Sequence, residues 1–213
     1  MGRTRRDKRQ RQIYMNKNIT CIILSGGKSS RMGENKSFLN FGEKTVIEHI
    51  IQLMKSIFSD VILITNTPHE YQHLAIPIFE DVYKQMGPLA GMHSGLVNSK
   101  TEQNFIISCD LPLMSREVID HIINYKTNKK ITICKADGYL QPLLGIYLKS
   151  LIPIIENILT NEKKHSMYAL LDRVNSEIIE INKLAFYNEN VFLNMNRPED
   201  YENILSKINL LSK

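Results

Sequence analysis

The sequence predicts an α/β protein, an open, mostly parallel, doubly wound sheet with helices on both faces. Two patterns carry this expectation. Short apolar runs rich in β-branched residues recur along the chain, as in strands covered on both sides, and stretches with helical apolar spacing separate them. A glycine-rich, basic loop follows directly on the first run, where such sheets hold their ligands. Composition agrees. At 213 residues, 43% hydrophobic and 23% charged, the chain matches ordinary globular proteins and is long enough to bury a core without disulfides.

Ile19-Thr20-Cys21-Ile22-Ile23-Leu24 reads as the first buried strand, because its β-branched residues suit a pleated backbone. Leu24-Ser25-Gly26-Gly27-Lys28-Ser29-Ser30-Arg31-Met32-Gly33-Glu34-Asn35-Lys36 follows. Glycines let a backbone approach an anion and aim N–H groups at it, and basic side chains neutralise the charge that remains. The ATPase loop is not met, since Ile22 stands where its first glycine belongs, and G-x-G-x-x-G is absent. A solvated surface turn is the alternative reading. Placement after the first strand, with Arg31 and Lys36 following, favours a nucleotide site.

Between Thr45 and Ile57, the residues Val46, Ile47, Ile50, Ile51, Met54 and Ile57 share one helical face. Asp60–Thr65 is the next strand, completing a parallel crossover unit. A third strand is expected over Ala75-Ile76-Pro77-Ile78-Phe79, closed by Glu80-Asp81. Gly87-Pro88-Leu89-Ala90-Gly91 opens a helix, with Pro88 suited to its first turn and Gly91 and Gly95 spaced for close packing. Phe105–Cys109 is a strand running into Asp110, Val118, Ile119, Ile122 and Ile123 mark a helix, and Ile131–Cys134 is a further strand. Gln141–Tyr147 carries the chain back along the sheet as an extended segment. Helices are expected near 151–159 and 166–171. Asn194-Met195-Asn196-Arg197-Pro198-Glu199-Asp200-Tyr201 precedes a last amphipathic helix. Its asparagines read first as a turn and N-cap, although amides two apart in an extended stretch also share one face.

The net charge of +5 is local. Residues 1–18 hold seven basic residues against Asp7, a net of +6, which leaves −1 for the rest. The expected division is therefore a basic, disordered tail over 1–18 and a single domain over 19–213. A nucleic-acid-binding arm is the alternative for the tail, but no basic face is patterned elsewhere and nucleic acid is not an expected partner. Cys21, Cys109 and Cys134 are odd in number, far apart and set in apolar runs, which suits reduced thiols in the cytoplasm. No apolar stretch reaches the roughly 18 residues of a membrane span, so no membrane association is expected.

Four polar landmarks stand at predicted strand ends: the loop after Leu24, Asn66, Asp81 and Asp110. In a doubly wound sheet these face one crevice. Each alone has a capping or turn explanation, Asp110 included. Together they supply the glycine loop, lysine and carboxylate that a magnesium–triphosphate complex requires.

The loop through Arg31-Met32-Gly33 and Lys36, Gly87-Pro88-Leu89-Ala90-Gly91, Cys109-Asp110-Leu111-Pro112, Gln141-Pro142 and Asn194-Met195-Asn196-Arg197-Pro198-Glu199-Asp200 resembles, in order and spacing, the molybdenum cofactor guanylyltransferase family over roughly residues 19–208. Ser25 departs from the alanine usual in that loop. The resemblance implies a Rossmann-like nucleotidyltransferase fold and transfer of GMP from GTP to molybdopterin, with magnesium as cofactor. By carry-over, Leu24, Ser25, Gly26 and Gly27 hold the nucleotide with their backbone, Lys36 contacts phosphates, Asn66 and Asp81 contact nucleoside or phosphates, and Asp110 ligates magnesium. Arg31 is added as a clamp on the leaving pyrophosphate. Asn194 and Asn196, with Gln141, are assigned to the pterin acceptor. Molybdopterin-synthesis or molybdoenzyme-maturation proteins are the partners implied. Cytidylyl transfer to the same acceptor, a sugar-phosphate or methylerythritol-type nucleotidyltransferase, and a non-catalytic GTP-binding adaptor remain as alternatives.

Overall fold

The computed structural model of the chain describes residues 15–26 and 35–211, with side chains to residue 207. Gly27 and Arg31, and the tail over residues 1–14, lie outside the described residues. The central sheet is built from β1 (Asn16–Leu24), β4 (Phe58–Ile64), β5 (Ile78–Phe79), β6 (Gln103–Ser108), β7 (Ile131–Ala136), β8 (Tyr139–Leu148) and β9 (Glu177–Glu180). Its order is β5-β4-β1-β6-β8-β7-β9. All neighbours pair in parallel except β8, which runs antiparallel to both β6 and β7. The chain steps outward from β1 to β4 and β5, then returns to β6 on the other side of β1. That reversal makes the switch point between β1 and β6, where the carboxyl ends of strands open a crevice.

Strand alternation explains the two layers of helix. On β1, Cys21 and Ile23 face one core and Ile22 and Leu24 the other. The first core holds α1 (Val46–Lys55), α3 (Arg116–Ile123) and Ile204 of α6 (Pro198–Leu211). The second holds α2 (Pro88–Asn98), α4 (Ile152–Asn161) and α5 (Met167–Leu171). In α1 the predicted face is the buried one, and Thr45 and Glu48 close a capping box at its start. In α2, a Cβ added to Gly95 would stand 2.4 Å from Cγ2 of Ile22, so helix and strand touch where only glycine fits.

Several expectations shift. β1 begins at Asn16, whose N–H bonds the Ile57 carbonyl at 2.7 Å, so residues 16–18 belong to the sheet and not to the tail. The third strand is two residues long, because Ala75 and Ile76 lie in a turn and Pro77 has no N–H to give a ladder. The return segment is β8, reached by a two-residue turn in which Asp137 and Gly138 have φ of 49° and 85°, the type I′ geometry that Asp-Gly favours. Pro142, also lacking a donor, sits where the β7–β8 register slips. β9, and the hairpin of β2 (Asn40–Phe41) and β3 (Lys44–Thr45), go beyond the sequence reading. The three cysteines are free and buried. Among the described residues no helix is long and apolar enough to cross a membrane.

Candidate active site

The carboxyl ends of β1, β4, β5 and β6 carry Leu24, Asn66, Asp81 and Asp110. Leu24 ends β1, and its carbonyl accepts from Cys109 N at 3.0 Å, joining the loop after β1 to the one after β6. Ser25 N donates to the Ile64 carbonyl at 2.9 Å. Lys36 opens a short 3-10 turn, Lys36–Phe38, capped by the Asn35 side chain.

The Lys36 ammonium ties the loop after β6 to the segment before α6. Its Nζ donates to Asp110 Oδ2 at 3.2 Å, to the Met195 carbonyl at 3.1 Å and to Asn196 Oδ1 at 3.1 Å. Three donors thus meet three acceptors, drawn from the loop after β6 and from the segment before α6. Both side chains of the ion pair are partly accessible, 17% for Lys36 and 19% for Asp110. Met195 N closes the junction by donating to the Asp110 carbonyl at 3.0 Å. The capping explanation for Asp110 fails, because Ser115 caps α3 by accepting from Val118 N.

Asn66 and Asp81 form a second pair, with Asn66 Nδ2 donating to Asp81 Oδ2 at 2.7 Å. Burial pushes the Asp81 carboxyl above its usual range, and the bond from Asn66 pulls the other way. The first turn of α2 lies alongside, since a Cβ on Gly91 would stand 3.4 Å from Asp81 Oδ1. Gly87, at φ 78°, leads into that helix without a side-chain cap.

The two asparagines before α6 diverge in their partners. Met195 is fully buried between them, giving the alternation that an extended segment predicts. Asn196 reaches Lys36, whereas Asn194 lines a groove of about 580 Å³ with Gln141, Tyr139, Asn190 and Lys207. The turn reading holds as well, because Asp200 Oδ2 accepts from Asn196 N and Arg197 N. Tyr139 and Lys207 were not singled out from sequence. The Asp-Gly turn places Tyr139 at a hairpin tip, 76% exposed beside the groove, but Lys207 has the signature of any solvated helical lysine.

A glycine-bearing loop, an ammonium–carboxylate pair and an amide–carboxylate pair at one switch point are the parts of a nucleotidyltransferase. Comparison with known proteins agrees. Residues 21–177 match the family model described as "MobA-like NTP transferase domain". The "probable molybdenum cofactor guanylyltransferase" of Carboxydothermus hydrogenoformans is 36% identical over 195 residues, covering 91% of this chain and 98% of its own. The chain belongs to the molybdenum cofactor guanylyltransferase family of MobA-like NTP transferases. Among solved structures, molybdopterin-guanine dinucleotide biosynthesis protein A from Archaeoglobus fulgidus shares the fold, with TM-score 0.78, 22% identity, and coverage of 90% of this chain and 99% of that one. Rv0371C from Mycobacterium tuberculosis, solved in complex with manganese, also shares it, with TM-score 0.62, 14% identity, and coverage of 89% and 98%.

Proposed function

We propose that this chain transfers a guanylyl group from GTP to molybdopterin, giving the guanine dinucleotide and pyrophosphate. The observation that carries the reading is the Lys36 ammonium held between Asp110 and Asn196, the latter two residues along the chain from Asn194, which lines the groove with Gln141. A phosphate oxygen of the acceptor forms the new bond to the α-phosphorus, and the bond to the bridging oxygen of the pyrophosphate breaks. The attacking phosphate is ionised near neutral pH, so no general base is called for. Catalysis is positioning and charge neutralisation.

In this reading the backbone of Leu24, Ser25, Gly26 and Gly27 cradles the nucleotide. Lys36 neutralises its phosphates, Arg31 holds the departing pyrophosphate, and Asn66 with Asp81 contacts the nucleoside or its phosphates. Gln141 and Asn194 seat the pterin, and Asn196 links that side to Lys36. A divalent cation, magnesium by expectation, fits Asp110, a partly accessible carboxylate of the hard-oxygen kind such ions share with substrate phosphates. When bound, the metal offsets charge on the phosphate oxygens. Asn16 onward forms the catalytic domain, with the basic residues before it as a tail. Buried free thiols favour a reducing cytoplasm, and proteins of molybdopterin synthesis and molybdoenzyme maturation are the partners this chemistry implies.

Incubation with each of the four nucleoside triphosphates, magnesium and molybdopterin, followed by product analysis, tests the assignment. The guanine dinucleotide should dominate. Equal or better turnover with CTP would overturn guanylyl transfer.

A further inference from the structure

Beneath the Lys36 turn lies a chain of buried hydroxyls. Ser25 Oγ is 2.8 Å from Ser37 Oγ and 2.8 Å from the Tyr71 hydroxyl, and Ser37 Oγ is 3.4 Å from Cys109 Sγ. Asn35 Nδ2 donates to the Tyr71 hydroxyl at 3.0 Å, while Asn35 Oδ1 accepts from Ser37 N. An amide nitrogen is donor only, so Asn35 donates to Tyr71, while in each of the links from Tyr71 to Ser25, Ser37 and the sulfur either partner can donate. The three hydroxyl residues are no more than 2% exposed, so water does not replace a lost link. Lys36 stands between two members of this chain, and Asp110 follows a third.

We propose that the Ser25, Ser37 and Tyr71 hydroxyls are a positioning device that holds Lys36 aimed at the triphosphate in the empty enzyme. This rests on the guanylyl-transfer reading above, in which Lys36 meets the phosphates. Ser25 is the central link, because its hydroxyl bonds both Ser37 and Tyr71. Once the triphosphate is bound, its own charge keeps the ammonium in place. Loss of the chain therefore falls on binding and not on turnover, and one hydrogen bond is worth about fivefold in affinity.

The test is titration calorimetry of GTP with magnesium, without acceptor, on wild type, Ser25→Ala, Tyr71→Phe and the double variant, beside kcat and melting temperature. Ile158→Val, a cut in the core on the far side of the sheet, serves as a control for lost stability alone. Each single variant should weaken GTP binding about fivefold, and Tyr71→Phe, whose side chain lies outside the nucleotide cradle, should leave kcat within twofold. The double variant should weaken binding less than the two single effects combined, because both changes delete the Ser25–Tyr71 link. GTP affinity within twofold of wild type in whichever single variants fold overturns the proposal, whatever happens to melting temperature. If wild type prefers another triphosphate, the guanylyl reading fails separately, and the same comparison with the preferred nucleotide still decides on the hydroxyl chain.

Discussion

Replacing Lys36 with methionine separates two accounts of the crevice. Methionine keeps the apolar stem of lysine out to the ε position but removes the ammonium and its three hydrogen bonds to Asp110, Met195 and Asn196. If Lys36 neutralises charge on the triphosphate as the bridging bond breaks, its loss removes about 3 kcal/mol from the transition state, roughly a hundredfold in kcat/KM for GTP. The stability cost should stay near or below about 1 kcal/mol, because the Asp110 partner is 19% accessible and water re-solvates it. If instead Lys36 only pins the 194–197 segment to the loop after β6, the substitution raises KM for molybdopterin and lowers melting temperature, with KM for GTP unchanged. Steady-state kinetics varying each substrate in turn, with thermal unfolding, distinguishes the two. A kcat/KM for GTP within threefold of wild type would refute the role in phosphate neutralisation.

Asp110→Asn keeps the shape and removes the charge, so transfer should fall at least tenfold and recover in part as magnesium is raised. A rate flat across the magnesium titration sinks the metal assignment. Gly95→Ala should lower stability by about 1–3 kcal/mol, because the new methyl meets Ile22 at 2.4 Å; an unchanged denaturation midpoint would show that α2 moves freely off β1. The Thr45 N–H and hydroxyl hold the Glu48 carboxyl below its usual range. Its contribution is full above the usual glutamate value and lost as pH falls through the lowered one. Glu48→Gln should thus be less stable than wild type near neutrality and converge with it in acid, as measured by urea unfolding from pH 7 to 3. A gap of constant size across that range removes the capping carboxylate from the account.

The central strands and helices were legible because burial on both sides of a sheet writes unbroken apolar runs, and because helical period writes itself on α1 and α3. The meeting of strand-end loops follows from topology, which puts Asp110, Asn66 and Asp81 at strand ends that share one edge of the sheet. What escaped sequence reading shares one trait, that it depends on partners far apart in the chain. β9 has only four residues with one buried, too few to show a period. The bond from Lys36 to Asn196 spans 160 residues, and Ser25 reaches Tyr71 across 46, with no local pattern at either end. The antiparallel sense of β8 was within reach, since Asp137-Gly138 between two apolar runs is a hairpin signal.

The place of β8 in the sheet sets an order on how the chain can fold. β6 has β1 on one side and β8 on the other, and β7 meets β6 nowhere except through β8. During synthesis, then, β6 emerges with an open edge that nothing can close until 148 residues have been made. The β7–β8 hairpin is local, turning on two residues, and is expected to form first and dock as a unit, with Gly145 packed so tightly on Thr132 that an added Cβ would stand 2.2 Å from its carbonyl. Slowing the turn is therefore predicted to slow closure of the whole sheet. Gly138→Ala, at φ 85° where a side chain is strained, should retard refolding in stopped-flow measurements. A refolding rate equal to wild type would mean that β8 joins β6 by a route that does not pass through the hairpin.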